Sequence, residues 1–276
     1  MSDRSWSRFT LSALFSLLVF VSSLSAQSLP AVATGDTIAA PTQETPTLKT
    51  PETPALNKDE FFSPKAFTHQ LMSDQKAIWT SPAHIQKSDA KWLVPLAAGT
   101  TVLFLEDTKI SNAVVGKTTL ANDADKISNI GLYSTWAVPG AFLALGKIKD
   151  NDHMVDTGER GLQAAVYSTI VMQAMKLATN RMRPGDGGNG GFLNGGDSFP
   201  SGHSMEAWAL ATVIAREYPD KPLVKWGMYS FATAVSLSRI ANQRHYASDV
   251  VVGGSIGYLI GRFVTRNMQA HPVEAQ

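Results

Sequence analysis

No cysteine occurs anywhere in the 276 residues. That absence excludes thiolate catalysis, thiolate-bound zinc and disulfide staples, so stability has to come from packing. An excess of one charge is lacking too: 24 Lys and Arg stand against 23 Asp and Glu, a formal net charge of +1. Nothing in that balance asks for a nucleic acid as partner, and none is expected. Alternating apolar and polar runs are missing, which argues against a sheet. Long apolar runs are scarce. A membrane span needs about 20 mainly apolar residues. In the body of the chain only residues 127–146 reach that length without a charge, and Ser128, Asn129, Ser134 and Pro139 interrupt them. With a mean hydropathy of -0.05, the chain reads as a compact helical domain with peripheral membrane contact left open, not as six spans. Oligomeric state is not readable at all.

What is present begins with a targeting pattern. Arg4 and Arg8 precede an uncharged run over 9–26, and Ser25-Ala26 offers a small-residue cut. A positive start, a short apolar stretch and small residues describe a secretory signal peptide over 1–26. The rival reading is an uncleaved anchor; either way the remainder is exported, to the periplasm or cell envelope. Residues 27–60 form a Pro/Thr-rich linker in which Pro41, Pro46, Pro51 and Pro54 crowd too closely for a helix. Residues 61–90 read as a peripheral helical segment and 91–268 as the main domain. Within that domain apolar segments recur at 92–105, 127–146, 161–175, 205–215, 226–237 and 250–264, with charges at their ends. Their lengths and their Ala, Leu, Met and Gly content predict helices, and the stops agree. Pro184 follows Arg183, Pro219-Asp220-Lys221-Pro222 is a turn, and Ser248-Asp249 resembles an N-cap before Val250. The expected fold class is all-α.

Three segments carry candidate chemistry. In Lys176-Leu-Ala-Thr-Asn-Arg-Met-Arg183-Pro184, residues seven apart on a helix return to nearly one face, so Lys176 and Arg183 are expected to point together. A compact ammonium and a planar guanidinium suit a phosphate; the bland reading is a basic last turn facing the helix dipole. The second segment is Ser198-Phe-Pro-Ser201-Gly202-His203-Ser204, preceded by residues 185–197, where seven of thirteen are glycine. A turn feeding a helix start presents free N–H groups to an anion. Ser201 adds a hydroxyl, Gly202 a close backbone, and His203 a proton carrier at the rim. Calcium is rejected for the glycine-rich loop, because Asp186-Gly187-Gly188-Asn189 lacks an oxygen ligand at the third position. The third segment is Ser238-Arg239 through Arg244-His245-Tyr-Ala-Ser-Asp249. Asp249, four residues after His245 at a helix start, is expected to accept a hydrogen bond from the ring and fix its tautomer. Arg239 adds a third cation. Taken alone, the second segment is better explained as a plain helix cap with a surface histidine, and the third equally well as a structural His–Asp pair capping a helix.

In this order the three segments resemble the signature of the type 2 phosphatidic acid phosphatase and vanadium haloperoxidase superfamily: Lys-x6-Arg-Pro, Pro-Ser-Gly-His, and Ser-Arg-x5-His-x3-Asp. Every fixed position is filled between Lys176 and Asp249. The resemblance implies a six-helix core and a metal-independent, cofactor-free phosphomonoester hydrolase. Lys176, Arg183, Arg239, the Ser201 hydroxyl and the Gly202 N–H would hold the phosphate. His245 would attack phosphorus with Asp249 orienting it, and His203 would protonate the leaving alkoxide and then activate water. The substrate would be a phosphate ester, with phospholipid and isoprenoid phosphates among the candidates. Vanadate enters as a cofactor only in the haloperoxidase alternative, whose members tend to be larger with additional helices. A non-catalytic anion-binding envelope protein is the remaining alternative.

Overall fold

The computed structural model describes residues 64–269, all of whose regular elements are helical. The expected signal peptide and the linker lie outside the described residues. Helix α1 (Pro64–Thr80) is followed by short 3-10 turns at Ser81–His84 and Lys87–Asp89. Six longer helices then run in sequence: α2 (Ala90–Asn112), α3 (Thr118–Ile148), α4 (Asp152–Thr179), α5 (Gly202–Glu217), α6 (Pro222–Ala241) and α7 (Ala247–Gln269). Each encloses one of the six predicted apolar segments. The fold class is all-α, as expected.

Local chemistry sets the ends. Asn151 caps α4 by accepting the Met154 N–H at 3.0 Å. Asn180 closes the same helix in the left-handed region at φ 43°, a conformation Asn tolerates better than most residues. Pro222 sits in the first turn of α6, where its missing N–H costs nothing. Helix α7 starts at Ala247, earlier than the expected Ser248-Asp249 cap. Asp249 lies inside its first turn and reaches back to the Tyr246 N–H at 2.9 Å.

Helix α5 is the axis of the domain; nearly all of its residues from Gly202 to Glu217 are buried. Its neighbour α7 approaches unusually closely, and a glycine stripe explains why. A Cβ on Gly253 would lie 2.5 Å from the Ser201 carbonyl oxygen, one on Gly257 2.0 Å from that of Met205, and one on Gly261 2.6 Å from that of Ala209. Spaced four apart, these glycines share one face of α7 and let the two backbones touch. Gly257→Val would drive the helices apart and is expected to unfold this seam. Around it Ala164, Tyr167 and Val171 of α4 pack with Met205, Ala209 and Val213 of α5 and Ile260 and Val264 of α7. On the other flank, Ala207 and Ala211 of α5 meet Ala232 and Val235 of α6. This packing holds the starts of α5 and α7 side by side, with the ends of α4 and α6 beside them.

Candidate active site

All three sequence segments end in this junction. The Ser201 N–H donates to the Asp249 carbonyl at 3.0 Å, tying the start of α5 to the first turn of α7. Ser201, the N-cap residue of α5, is fully buried, and its hydroxyl accepts from Ser204 at 3.1 Å. Gly202 follows as the first helical residue, with an N–H that has no acceptor within the helix. A Cβ there would meet the Met172 sulfur at 2.1 Å, so the methionine side chain would have to move aside.

Lys176 and Arg183 do converge, but not for the reason of helical spacing. Helix α4 ends at Thr179, and Arg183 is extended at φ -74°, ψ 150°. Pro184 disfavours the α conformation for the residue before it, so the seven-residue return to one face does not apply. What joins the two cations is Asp197, a residue the motif reading passed over. Its carboxylate accepts from Arg183 Nη2 at 2.7 Å and lies 3.6 Å from Lys176 Nζ. Burial pushes the Asp197 pKa up, but the Lys176 and Arg183 charges outweigh it and hold the group below the usual carboxylate range.

Arg239, at the end of α6, donates to the Ser128 hydroxyl of α3. Its Nε–H and that of Arg183 are buried and have no partner among the described residues. Two unpartnered guanidinium donors beside a lysine have the chemistry to take an oxyanion. Burial, then the neighbouring Arg183 and Arg244 charges, lower Arg239 to about 10, against the pull of Asp125. Lys176 is lowered by burial and by Arg183 and Arg239, with Asp197 opposing.

His203, in the first turn of α5, feels Arg239, His245, Lys176 and Arg183 together. Burial and those charges pull it down to about 3, so it is neutral at ordinary pH. One turn further along, Glu206 is buried and accepts from Thr169 at 3.1 Å and Thr135 at 3.5 Å. Burial raises its pKa, against the pull of the Thr169 and Thr135 hydrogen bonds and the Lys176 charge. Nothing in the motifs points to it.

His245 departs from expectation in its partner. The ring is 2% exposed, and Nδ1 donates to the Ser198 backbone carbonyl at 2.6 Å. Asp249 Oδ2 is 3.7 Å from Nδ1: near enough to act by charge, too far to accept the bond. Asp249 works one step back. It accepts the Ser198 hydroxyl at 2.6 Å and the Tyr246 N–H at 2.9 Å, and so holds the segment whose carbonyl orients the ring. With Nδ1 as donor, Nε2 keeps its lone pair. Burial lowers His245, with Asp249 opposing and the Arg239 and Lys176 charges adding to the fall.

Sequence reasoning also missed Arg181 and Asp107. Arg181 is fully buried between Asp249 at 2.5 Å and Asp107 of α2 at 2.8 Å. Asp107 in turn accepts the Ser248 N–H at 3.0 Å and the Ser248 hydroxyl.

Comparison with known proteins falls on the same stretch of the chain. A family model described as the PAP2 superfamily matches residues 162–272, the stretch that carries all three motifs. Lipid A 1-phosphatase of Porphyromonas gingivalis is 29% identical over 177 residues, covering 63% of this chain and 38% of that protein. Lipid A 4'-phosphatase of the same organism is 31% identical over 74 residues, covering 27% and 31%. The chain thus spans about a third of the length of the curated relatives it matches. The fold is similar to the crystal structure of a transmembrane PAP2-type phosphatidylglycerolphosphate phosphatase from Bacillus subtilis. The TM-score is 0.50 and the identity 23%, with 66% of this chain and 98% of that one covered. Motifs, helical frame and family match coincide on the same residues, and over 162–272 the chain is similar to the PAP2 superfamily.

Proposed function

We propose that this chain is a metal-independent phosphatase that hydrolyses a lipid phosphomonoester through a phosphohistidine on His245. One observation carries the reading. A buried imidazole with Nδ1 tied to a carbonyl stands among three cations, two of which hold unpartnered buried donors.

In this mechanism Lys176, Arg183, Arg239, the Ser201 hydroxyl and the Gly202 N–H take the phosphate oxygens, and Asp197 gives up its place on the cations. Preorganised cations around the equatorial oxygens supply most of what phosphoryl transfer needs. The Nε2 lone pair of His245 attacks phosphorus, and the ester P–O bond breaks. The alkoxide takes a proton from His203, which the substrate's negative charge has made basic enough to hold one. Neutral His203 then removes a proton from water, the hydroxide attacks phosphorus, and the P–N bond breaks to release inorganic phosphate. His203 is left protonated and His245 neutral, ready for the next cycle.

The lipid class is supported by the relatives named for lipid A phosphates. Outer faces of the bundle support it too. Val94, Val102 and Leu105 of α2 and Ile130, Tyr133 and Ile148 of α3 are all more than half exposed. One helix among the described residues, over Ala247–Arg266, is long and apolar enough to cross a membrane, but 56% of it is buried in the bundle. We read the domain as an envelope protein lying against a bilayer, reached by export.

The test is hydrolysis of p-nitrophenyl phosphate and of a lipid phosphomonoester in mixed micelles, with and without EDTA. Turnover insensitive to EDTA, with an acid-labile phosphoenzyme trapped on His245, is expected. Activity that EDTA abolishes and a divalent ion restores would overturn the metal-free chemistry.

A further inference from the structure

The two arginines of Asn180-Arg181-Met182-Arg183 are alike in sequence and opposite in use. Arg181 is fully buried, and all five of its N–H donors are occupied. Nε and Nη2 both donate to the Gly190 carbonyl, at 3.0 and 2.8 Å. Nη1 donates to the Ser248 hydroxyl at 2.8 Å and to Asp249 Oδ1 at 2.5 Å, and Nη2 also donates to Asp107 Oδ2 at 2.8 Å. The rings of Phe104, Phe192 and Tyr246 stand 5.2, 5.0 and 4.3 Å from its guanidinium carbon. Such a group has no donor left for a substrate oxygen.

What it does have is the charge of Asp249. That carboxylate faces the nucleophile from 3.7 Å, yet one oxygen is bound to Arg181 and the other to Ser198 and Tyr246. A buried carboxylate at that distance with no other counterion would hold the imidazole protonated, and the proton would occupy the lone pair that must attack phosphorus. We propose that Arg181 is a positioning residue that takes up the charge of Asp249, so that His245 is delivered neutral, with Nδ1–H on the Ser198 carbonyl and Nε2 free. The claim rests on the phosphohistidine reading above for its consequence, though not for its geometry. The other charges facing His245 are Arg239 on α6, Lys176 on α4, His203 on α5 and Asp197 on the loop. Arg239 and Lys176 oppose a proton on the ring, Asp197 favours one, and His203 is neutral.

The experiment compares kcat/KM against pH for the full chain, Arg181→Gln and Arg181→Lys, using p-nitrophenyl phosphate. Titration of the substrate is common to all three and cancels. Arg181→Gln is expected to move the acid limb up by roughly one pH unit or more, a tenfold loss on its acid side, while the activity recovers towards high pH. Arg181→Lys keeps the charge without the fork and should fall between the two. A limb that stays in place while kcat drops evenly would overturn the proposal. If neither variant folds, 15N-histidine NMR of the wild-type chain decides, with His245 assigned by loss of its signal in His245→Gln. A neutral ring with Nδ1 protonated at pH 6 is expected, and an imidazolium there would overturn the claim. A wild-type chain that hydrolyses no phosphoester would end the phosphatase reading, yet the ring's protonation would still be read.

Discussion

All five N–H donors of Arg181 are engaged and both oxygens of Asp249 accept hydrogen bonds, whereas Arg183 and Arg239 each keep a buried N–H with no partner among the described residues. The pocket thus has two halves of different character. Behind the nucleophile, burial is complete and polar groups are matched, as a rigid positioning device requires. Around the proposed phosphate site, like charges crowd together and donors stay open, an arrangement that costs stability and that a bound anion would make favourable.

The largest effect expected is on His245→Ala. It should reduce turnover by a factor of about 10^4 or more while leaving the helical spectrum and unfolding midpoint close to wild type. Near wild-type rates would dissolve the distinction between the halves at its centre. Next come substitutions that set stability against activity. Arg239→Met removes a buried cation repelled by its neighbours, so kcat/KM should fall about 10^2 to 10^3-fold while stability holds or rises. Asp249→Asn strips Arg181 of a buried partner and should lower stability by roughly 3–5 kcal/mol as well as activity. Denaturant unfolding of both variants checks this. If they lose stability equally, the two halves are not built differently.

The helical frame was legible because each core helix carries an uninterrupted apolar stretch between charges, and composition reports that directly. The site's membership was legible because the three motifs keep fixed order and spacing. Its wiring was not. A backbone carbonyl such as that of Ser198 leaves no mark in a sequence, so Asp249, the nearest side-chain acceptor, was given the bond that Ser198 receives. Arg181 and Arg183 are two residues apart and chemically identical; only the end of α4 at Thr179 and the loop beyond it send one into the core and the other to the pocket. Asp107 sits among Glu106 and Lys109, a setting that reads as a solvated helix end, yet it is 1% exposed. The glycines at 253, 257 and 261 were readable as a four-residue period, but which helix they admit depends on the tertiary arrangement.

A pH series sharpens the comparison more gently. His203 and His245 are both lowered in the folded protein, His203 to about 3, from an ordinary value near 6.5 in the unfolded chain. Between those limits the unfolded chain binds protons that the folded one refuses, so stability should fall as pH drops below 6.5. Inorganic phosphate neutralises the cations that cause part of the lowering, and should flatten the fall. Melting temperatures from pH 7 to pH 4, with and without millimolar phosphate, check both signs. An identical slope in the two series would mean that the cations do not meet the anion.

The smallest effect concerns Asp197, the internal anion on Lys176 and Arg183. Its side chain is 56% exposed, so its ion pairs are screened and its displacement by a phosphate is cheap. Asp197→Asn removes a competitor without touching the nucleophile. KM for p-nitrophenyl phosphate, and the inhibition constant of inorganic phosphate, should each fall a few-fold, with kcat nearly unchanged. An unchanged or higher KM would mean that Asp197 holds the cations in place for the substrate instead of competing with it. The phosphate half would then be preorganised in the same manner as the nucleophile half.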